Sequence, residues 1–212
     1  MVARGEISHT CVSCIGAVIL AAGKSERFGA PKIFQSFLGV PFFTRITDCL
    51  REAGIQKVVL VLGHKAEIFM PQLSCLEHLQ VVINTRHGEG QFSSVQAGIG
   101  AGDASVAGVL LCLIDQPHLT ADLYRALVQK ALLFPTKIII PSYDSRGGRP
   151  VHIPRRLFAE ILAEPSTSTL RTVIQRYPRD ILKMAVDEPG ILEDIDTRED
   201  LVRLEKKIHK SL

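Results

Sequence analysis

Short apolar runs alternate with amphipathic stretches along most of the chain, and the two patterns predict different elements. The run IGAVILAA at 15–22 is almost continuously apolar and is bounded by polar residues or turn formers. Such a run is typical of a strand that is buried on both faces of a sheet. Similar runs predict four more strands, at 57–63, 79–85, 106–115 and 137–142.

Between these runs, apolar residues recur at the spacing of a helix. The stretch 41–54 places Phe42, Ile46 and Leu50 on one stripe and closes on a glycine, as helices commonly do. Further helices are predicted at 64–73, 92–102 and 120–133, near 155–163 and 167–176, and from Thr197 onward. Strands that alternate with helices predict an α/β fold whose sheet is mostly parallel and carries helices on both faces.

Length and composition favour one folded domain over 15–212, preceded by a flexible leader at 1–14. A chain of 212 residues with 46% hydrophobic and 22% charged residues can bury a sizeable core. The net charge of +3 fits a small anionic substrate, but it gives no case for a nucleic-acid binder. No apolar segment is long enough for a membrane span, and the leader lacks the apolar stretch of a signal peptide. We therefore expect a cytoplasmic protein without nucleic-acid or membrane partners.

Cysteines and histidines offer weak signals. Cys11 and Cys14 form a lone CxxC ahead of the first strand, which is either an incidental pair or a zinc or redox motif. The histidines at 64, 87, 118 and 152 are scattered without the spacing of metal ligands. The sequence therefore predicts no histidine metal cluster, and it leaves the purpose of the leader open.

The loop after the first strand carries the strongest chemical signal. In VILAAGKSERFGAPK (18–32), small residues come directly after the apolar run, and three cations follow within ten residues. Ligands of open parallel sheets bind outside the carboxyl ends of the strands, and small residues let backbone N–H groups approach an anion. Neither G-x-x-x-x-G-K-[ST] nor G-x-G-x-x-G is present. The loop is thus either a polyphosphate site of another kind or a solvated, cation-rich turn.

Four motifs in order carry a resemblance to a known family. LAAGKSERFGAPK resembles the signature L-A-A-G-x-S-x-R-x-G-x-x-K of nucleotidyltransferases with a MobA-like fold. The stretches at 88–98, 114–117 and 187–201 resemble, in turn, the family's glycine-then-Ser-Val segment, its Asp-Gln-Pro and its closing Asp-Ile-Asp-Thr motif. The motifs at 114–117 and 187–201 are most similar to the molybdopterin cytidylyltransferase branch. The resemblance implies a three-layer αβα, Rossmann-like fold of the nucleotide-diphospho-sugar transferase type.

Carried over by position, the resemblance also implies roles for individual residues. Arg27 and Lys32 would meet the phosphates of a nucleotide and take part in catalysis. Asp115 would bind Mg²⁺, with Asp196 as the second acidic ligand and Asp194 as an alternative to it. The remaining nucleotide contacts would come from the first loop and from two positions on later elements, namely Leu20, Ala21, Ala22, Gly23, Ser25, Asn84 and Ser94.

The implied reaction is transfer of a nucleotide from a nucleoside triphosphate to a phosphorylated acceptor, with release of pyrophosphate. CTP is the favoured donor because the first loop reads Ala-Ala-Gly, whereas the guanylyl branch has Ala-Gly-Gly; GTP stays possible. Molybdopterin is the favoured acceptor, with delivery of the product to a molybdoenzyme or chaperone. A sugar- or polyol-phosphate acceptor and a non-catalytic nucleotide-binding regulator are the alternatives.

Two stretches depart from the cytidylyltransferase branch. Where that branch has Gly-His-Pro-Val, this chain has Gly-Arg-Pro-Val at 148–151, and a glycine-rich stretch is replaced at 165–174. In relatives the first of these regions faces the second substrate, so the departure leaves the acceptor open. Arg149, Arg155 and Arg156 could hold an acceptor phosphate, although the last two could equally flank the start of a helix.

Overall fold

A large twisted sheet lies at the centre of the fold in the computed structural model, which describes residues 14–23, 27–73 and 79–209. Along the chain, the strands are β1 (Ile15–Ala21), β2 (Ser36–Phe37), β3 (Val40–Pro41), β4 (Val58–Leu62), β5 (Leu79–Ile83), β6 (Gly108–Leu113), β7 (Ile138–Tyr143), β8 (Arg146–Gly147), β9 (Val151–Pro154) and β10 (Ile181–Ala185). β2 and β3 form a separate small hairpin, and the other strands belong to the central sheet.

Helices connect most of the strands, as the periodicity predicts. They are α1 (Phe42–Glu52), α2 (Ala66–Leu73), α3 (Gln91–Ala101), α4 (Ala121–Leu133), α5 (Phe158–Ala163), α6 (Leu170–Gln175) and α7 (Arg198–His209). The predicted start of the last helix is confirmed in detail. Thr197 Oγ1 accepts the Asp200 N–H at 3.1 Å, while Asp200 Oδ2 accepts the Thr197 N–H at 3.0 Å, which is a reciprocal cap.

The strand order is β10-β7-β9-β6-β1-β4-β5, and the short β8 pairs with the end of β7. β1 pairs in parallel with both β4 and β6, and β4 pairs in parallel with β5. The carboxyl ends of these four strands therefore share one edge of the sheet, which is where an open α/β sheet binds ligands. The prediction of a mostly parallel α/β sheet is confirmed.

The sequence predicts helices but no strand between 143 and 195, whereas this segment contributes three strands to the sheet. β9 lies between β6 and β7 and is antiparallel to both, with Leu111 opposite Val151 and Gly108 opposite Pro154. Chain direction therefore reverses at β9. Residues just before it lie at the carboxyl edge of β6, and residues just after it lie at the opposite edge.

Two apolar clusters cover the two faces of the sheet. One joins alternate residues of β1 to α1, α4 and α7, through side chains such as Ile19, Phe42 and Tyr124. The other joins the intervening residues of β1 to α3, α5 and α6, through side chains such as Val18 and Ile161. Alternate side chains of a strand point to opposite faces, so the near-continuous apolar run of β1 supplies both cores. The three-layer arrangement is the one that the resemblance implies.

Helix α3 approaches the sheet unusually closely at one position. A Cβ atom placed on Gly98 would lie 2.3 Å from Val18 Cγ1 and 2.9 Å from Val61 Cγ2. The absence of a side chain therefore lets α3 pack directly on β1 and β4. Ser94 lies one helical turn before Gly98, so this contact also sets the depth of the residues at the start of α3.

None of the helices in the described ranges is both long and apolar enough to cross a membrane. The leader predicted at 1–14, including Cys11 of the CxxC pair, lies outside the described residues except for Cys14, whose carbonyl accepts the Ala107 N–H at 2.6 Å. The division into a leader and one domain over 15–212 stays a prediction.

We expect Gly98→Ala to destabilise the protein, because the new methyl group would clash with two core valines. Overpacking of this kind typically costs about 1–3 kcal/mol, against a gain of about 1 kcal/mol from removing a glycine from a helix. Gly100→Ala is the matched control, since its Cβ would meet Leu162 Cδ2 at an acceptable 3.4 Å. Urea unfolding of both variants measures the difference. Equal stabilities would contradict the close approach of α3 to the sheet.

Candidate active site

A cleft of about 550 Å³ opens at the carboxyl ends of β1 and β6. The chain leaves β1 through Ala22 and Gly23, and both residues line the cleft. A Cβ on Gly23 would meet no atom within 4 Å, so its backbone faces open space. The other lining residues come from the first loop, from the start of α3, from the end of β6 and from the closing motif: Leu20, Arg27, Lys32, His87, Gly88, Gly90, Gln91, Ser94, Leu113, Ile114, Asp115 and Asp196.

Lys32 lies between two carboxylates in this cleft. Its Nζ atom donates to Asp196 Oδ1 at 2.8 Å and to Asp115 Oδ2 at 3.3 Å. The lysine is 7% exposed, so water screens its charge less than it would on the open surface. Three residues that are far apart in the chain are thus held together, as the resemblance implies for a phosphate and metal site.

Arg27 extends this cluster towards solvent. Its Nη2 atom lies 2.9 Å from Asp196 Oδ2, and 74% of its side chain is exposed. Arginine has five N–H donors in a planar fork, so this contact leaves most of them free for a further anion. With Lys32 and Asp115, the cluster holds two positive and two negative charges.

Asp115 is fixed by the backbone as well as by its side chain. Its carbonyl accepts the Ile195 N–H at 2.9 Å, which ties the end of β6 to the closing motif and brings Asp196 next to Asp115. The second carboxylate oxygen, Asp115 Oδ1, is buried without a hydrogen-bond partner. A buried carboxylate oxygen without a donor is costly, which points to a cationic or donor ligand at this position.

Asp194 and Asp196 lie in different positions relative to the cleft. Asp196 lines the cleft, whereas Asp194 Oδ1 accepts a hydrogen bond from Gln116 Nε2 at 3.0 Å. Burial raises the pKa of Asp194, and the nearby charges of Asp115 and Asp196 raise it further. Of the two aspartates, Asp196 is therefore the one that faces the cleft, and Asp194 pairs with Gln116 instead.

Asn84 and Ser94, predicted to contact the nucleotide, differ in position. Ser94 lines the cleft, but Asn84 is 3% exposed and lies beneath it. Asn84 Nδ2 donates to Ser93 Oγ at 2.8 Å and to Ser94 Oγ at 3.0 Å, while its Oδ1 accepts the Arg86 N–H. The described contacts therefore make Asn84 a brace that positions the start of α3.

The remaining predicted loop residues divide in the same way. Leu20 and Ala22 line the cleft, Ala21 lines a small hollow beside His64, and Gly23 lines both. Ser25 lies outside the described residues. Leu20 and Ala21 differ because neighbouring side chains of a strand point to opposite faces of the sheet.

The segment before α3 contributes lining residues that the sequence argument did not assign. His87, Gly90 and Gln91 border the cleft, and Gly90 has φ +114°, a conformation that favours glycine. Gly90 precedes the first residue of α3 and provides no side-chain cap, so the first N–H groups of the helix are available to a ligand. The G-x-G spacing ahead of a predicted helix was the available signal for this feature.

Arg155 and Arg156 are at the other end of the sheet. The Arg155 N–H donates to Ala107 O at 2.9 Å, and Arg156 pairs with Asp180 at 2.6 Å. Both follow β9, whose antiparallel direction carries the chain away from the cleft. Of the three arginines considered for an acceptor phosphate, only Arg149 precedes β9.

The oxygen donors of the cleft fit a hard divalent cation. Asp115 and Asp196 offer two carboxylates, one of them with a buried oxygen that lacks a partner. In the described part of the chain, no group of three or more His, Cys, Asp or Glu residues could hold a metal alone. Mg²⁺ commonly takes one or two carboxylates together with water and phosphate oxygens, so this donor set suits a cation that binds along with a nucleotide.

Solved structures share the fold. Rv0371c from Mycobacterium tuberculosis H37Rv has a TM-score of 0.76 at 24% identity, over 91% of this chain and 98% of that one. A complex of Rv0371c with manganese has a TM-score of 0.73 at 22% identity, over 92% and 98%. CMP:2-keto-3-deoxy-manno-octonic acid synthetase in complex with CTP has a TM-score of 0.71 at 13% identity, over 94% and 100%.

Sequence comparison assigns the family. Bifunctional protein GlmU of Bacillus cereus is 32% identical over 119 residues, which are 54% of this chain and 25% of GlmU. The chain thus spans about a quarter of the length of the curated relatives it matches. The model of the MobA-like NTP transferase domain matches residues 17–181, from β1 to the start of β10. Since this match includes the first loop, Lys32 and Asp115, the chain belongs to the MobA-like NTP transferase family.

Proposed function

We propose that this chain is a nucleotidyltransferase that moves a nucleotide from a nucleoside triphosphate to a phosphate monoester, with Mg²⁺ as the metal. The observation that carries the proposal is the cluster of Arg27, Lys32, Asp115 and Asp196 in one cleft beside Gly23. Backbone N–H groups, cations and carboxylates together match the needs of a metal-bound polyphosphate. The family assignment supports the same class of reaction.

The reaction forms one P–O bond and breaks another. An oxygen of the acceptor phosphate attacks the α-phosphorus, and the bond from that phosphorus to the α–β bridging oxygen breaks. Pyrophosphate leaves with the bonding electron pair, so the six negative charges of the reactants are conserved in the products. A phosphate monoester has a second pKa near 6 and is largely dianionic at pH 7. The nucleophile therefore needs no protein base.

The work of the protein is to position two anions and to offset their charge. Lys32 and Arg27 are the cations that can bind the triphosphate. Gly23, which follows β1, and Gly90, which precedes α3, leave room for it to approach the backbone. Asp115 and Asp196 would hold the metal. When bound, Mg²⁺ would polarise phosphate oxygens and align the two reactants.

For the substrates, we infer CTP as the favoured donor and molybdopterin as the favoured acceptor. The Ala21-Ala22-Gly23 sequence and the Asp115-Gln116-Pro117 motif support this choice through their resemblance to the cytidylyltransferase branch. GTP is the rival donor, and a sugar- or polyol-phosphate is the rival acceptor. Delivery of the product to a molybdoenzyme or chaperone is part of the same proposal.

A matrix of donors and acceptors tests the function directly. CTP, GTP, ATP and UTP are each combined with candidate phosphate monoesters in the presence of Mg²⁺, and pyrophosphate release is measured. We expect release in the CTP column and for one acceptor class. Nucleotide binding without pyrophosphate release from any pair would favour the non-catalytic regulator instead.

We expect Asp115→Asn to lower turnover strongly while leaving nucleotide binding detectable. The amide keeps the size of the carboxylate but loses the charge that a metal ion requires. Loss of a group that stabilises developing charge typically lowers the rate by about 10²–10³-fold, which sets the scale here. Pyrophosphate release under saturating donor is the measurement.

Asp122→Asn is the matched control for that variant. Asp122 is exposed on the first turn of α4 and pairs with Arg125, so its loss changes net charge without touching the cleft. Wild-type turnover is expected for this control. Full metal-dependent activity in Asp115→Asn would exclude Asp115 from the reaction.

We expect Lys32→Met to weaken the binding of triphosphates more than that of monophosphates. Loss of a charged hydrogen bond to a ligand corresponds to roughly a 10- to 100-fold change in affinity. Calorimetric titration with CTP and with CMP gives the comparison, and CMP is expected to change little.

Lys183→Met serves as the control, because Lys183 lies on β10 and donates to the Ser145 carbonyl from an exposed position. Its affinities for CTP and CMP are expected to match the wild type. Unchanged triphosphate affinity in Lys32→Met would rule out the phosphate role of Lys32.

A further inference from the structure

Two adjacent residues after β6 hold the closing motif. The Asp115 carbonyl accepts the Ile195 N–H at 2.9 Å, and Gln116 Nε2 donates to Asp194 Oδ1 at 3.0 Å. A carbonyl oxygen tolerates a broad range of donor directions, so a single hydrogen bond leaves the bonded segment free to turn. Two bonds from neighbouring residues also fix the orientation of the segment, and Asp196 follows it directly.

The amide of Gln116 is buried among the polar groups of that segment. Gln116 is 2% exposed, and its Nε2 atom also lies 3.4 Å from Ile191 O and 3.4 Å from Glu193 O. Three acceptors therefore surround one NH₂ group, which has only two hydrogens. All three belong to the five residues before Asp196, so this amide is a common anchor for the chain that carries that carboxylate.

The acidic pair needs such an anchor once a nucleotide binds. In the structure, Lys32 Nζ bridges the carboxylates of Asp115 and Asp196. The proposed function gives Lys32 a phosphate partner, which weakens its hold on them, and carboxylates close to each other repel. Gln116 does not line the cleft, so its bonds to the closing motif are independent of the ligand.

We infer that Gln116 is a positioning residue for the metal, because its amide keeps Asp196 beside Asp115 while the triphosphate occupies Lys32. This inference rests on the proposed function and adds to it a residue that touches neither substrate nor metal. Loss of a partner that holds metal ligands in place typically changes metal affinity or activity by about 10–100-fold.

The effect of Mg²⁺ on nucleotide affinity measures this role. Calorimetry gives the affinity of a CTP analogue that has a methylene group between its α- and β-phosphorus atoms, first in EDTA and then in saturating Mg²⁺. The ratio of the two affinities is the coupling between metal and nucleotide, and it requires no turnover. We expect Gln116→Met to keep the affinity in EDTA and to lower this ratio by about tenfold or more.

Gln96→Met is the matched control. Gln96 is 4% exposed, and its Nε2 atom donates to Ile161 O at 2.9 Å and to Glu164 O at 2.7 Å, so it resembles Gln116 in burial and in its backbone partners. It joins α3 to α5 and makes no contact with the closing motif. The wild-type ratio is expected for this control. An equal fall in both variants would show a general effect of losing a buried amide and would overturn the positioning role.

Thermal unfolding checks that each variant is folded under the conditions of the titration. If Gln116→Met is unfolded, Gln116→Asn decides, because its amide is one methylene too short to bond Asp194 unless the segment moves. A wild-type ratio in the folded variant would overturn the positioning role.

The wild-type titrations separate this inference from the proposed function. An analogue that binds and gains affinity from Mg²⁺, with the same gain in the Gln116 variant, would overturn the inference alone. Failure of the wild type to bind the analogue, or to gain affinity from Mg²⁺, would overturn the proposed nucleotide or metal role and the inference with it.

Discussion

The arrangement of the cleft depends on one backbone hydrogen bond, from the Ile195 N–H to the Asp115 carbonyl. It joins the end of a central strand to a motif eighty residues later in the chain, and it places Asp196 where Lys32 can bridge both carboxylates. The side chains alone would repel one another as like charges. Backbone pairing fixes their positions first, and the cations of the first loop then offset the charge.

Close backbone approach is the second constraint on the site. Gly98 lets α3 rest on β1 and β4, and Gly148 lets the turn before β9 rest on the Ile191 carbonyl. Neither glycine has space for a side chain. The contact at Gly98 therefore fixes the depth of the segment before it, and the contact at Gly148 fixes the depth of the segment after it. Ser94 and Arg149 are held in this way by packing outside the cleft, which limits how far either can move.

Sequence patterns predicted most of the fold. The strand-helix order follows from local apolar runs, whereas the association of Asp115 with the closing motif was implied only by the family resemblance. β9 was missed because its four residues end in proline and carry no readable period. The role of Asn84 was not predictable either, since a polar residue after a strand can face a ligand or brace a loop, and its bonds to Ser93 and Ser94 are tertiary.

The reversal of chain direction at β9 determines where the chain can accept insertions. Connections that follow β9 emerge at the edge remote from the cleft, so insertions between α5 and α6 can lengthen the surface without disturbing the charged cluster. The turn that precedes β9 has no such freedom, because it is clamped between Pro141 and Ile191. Variation there is confined to the identity of side chains, and the length of the turn is fixed.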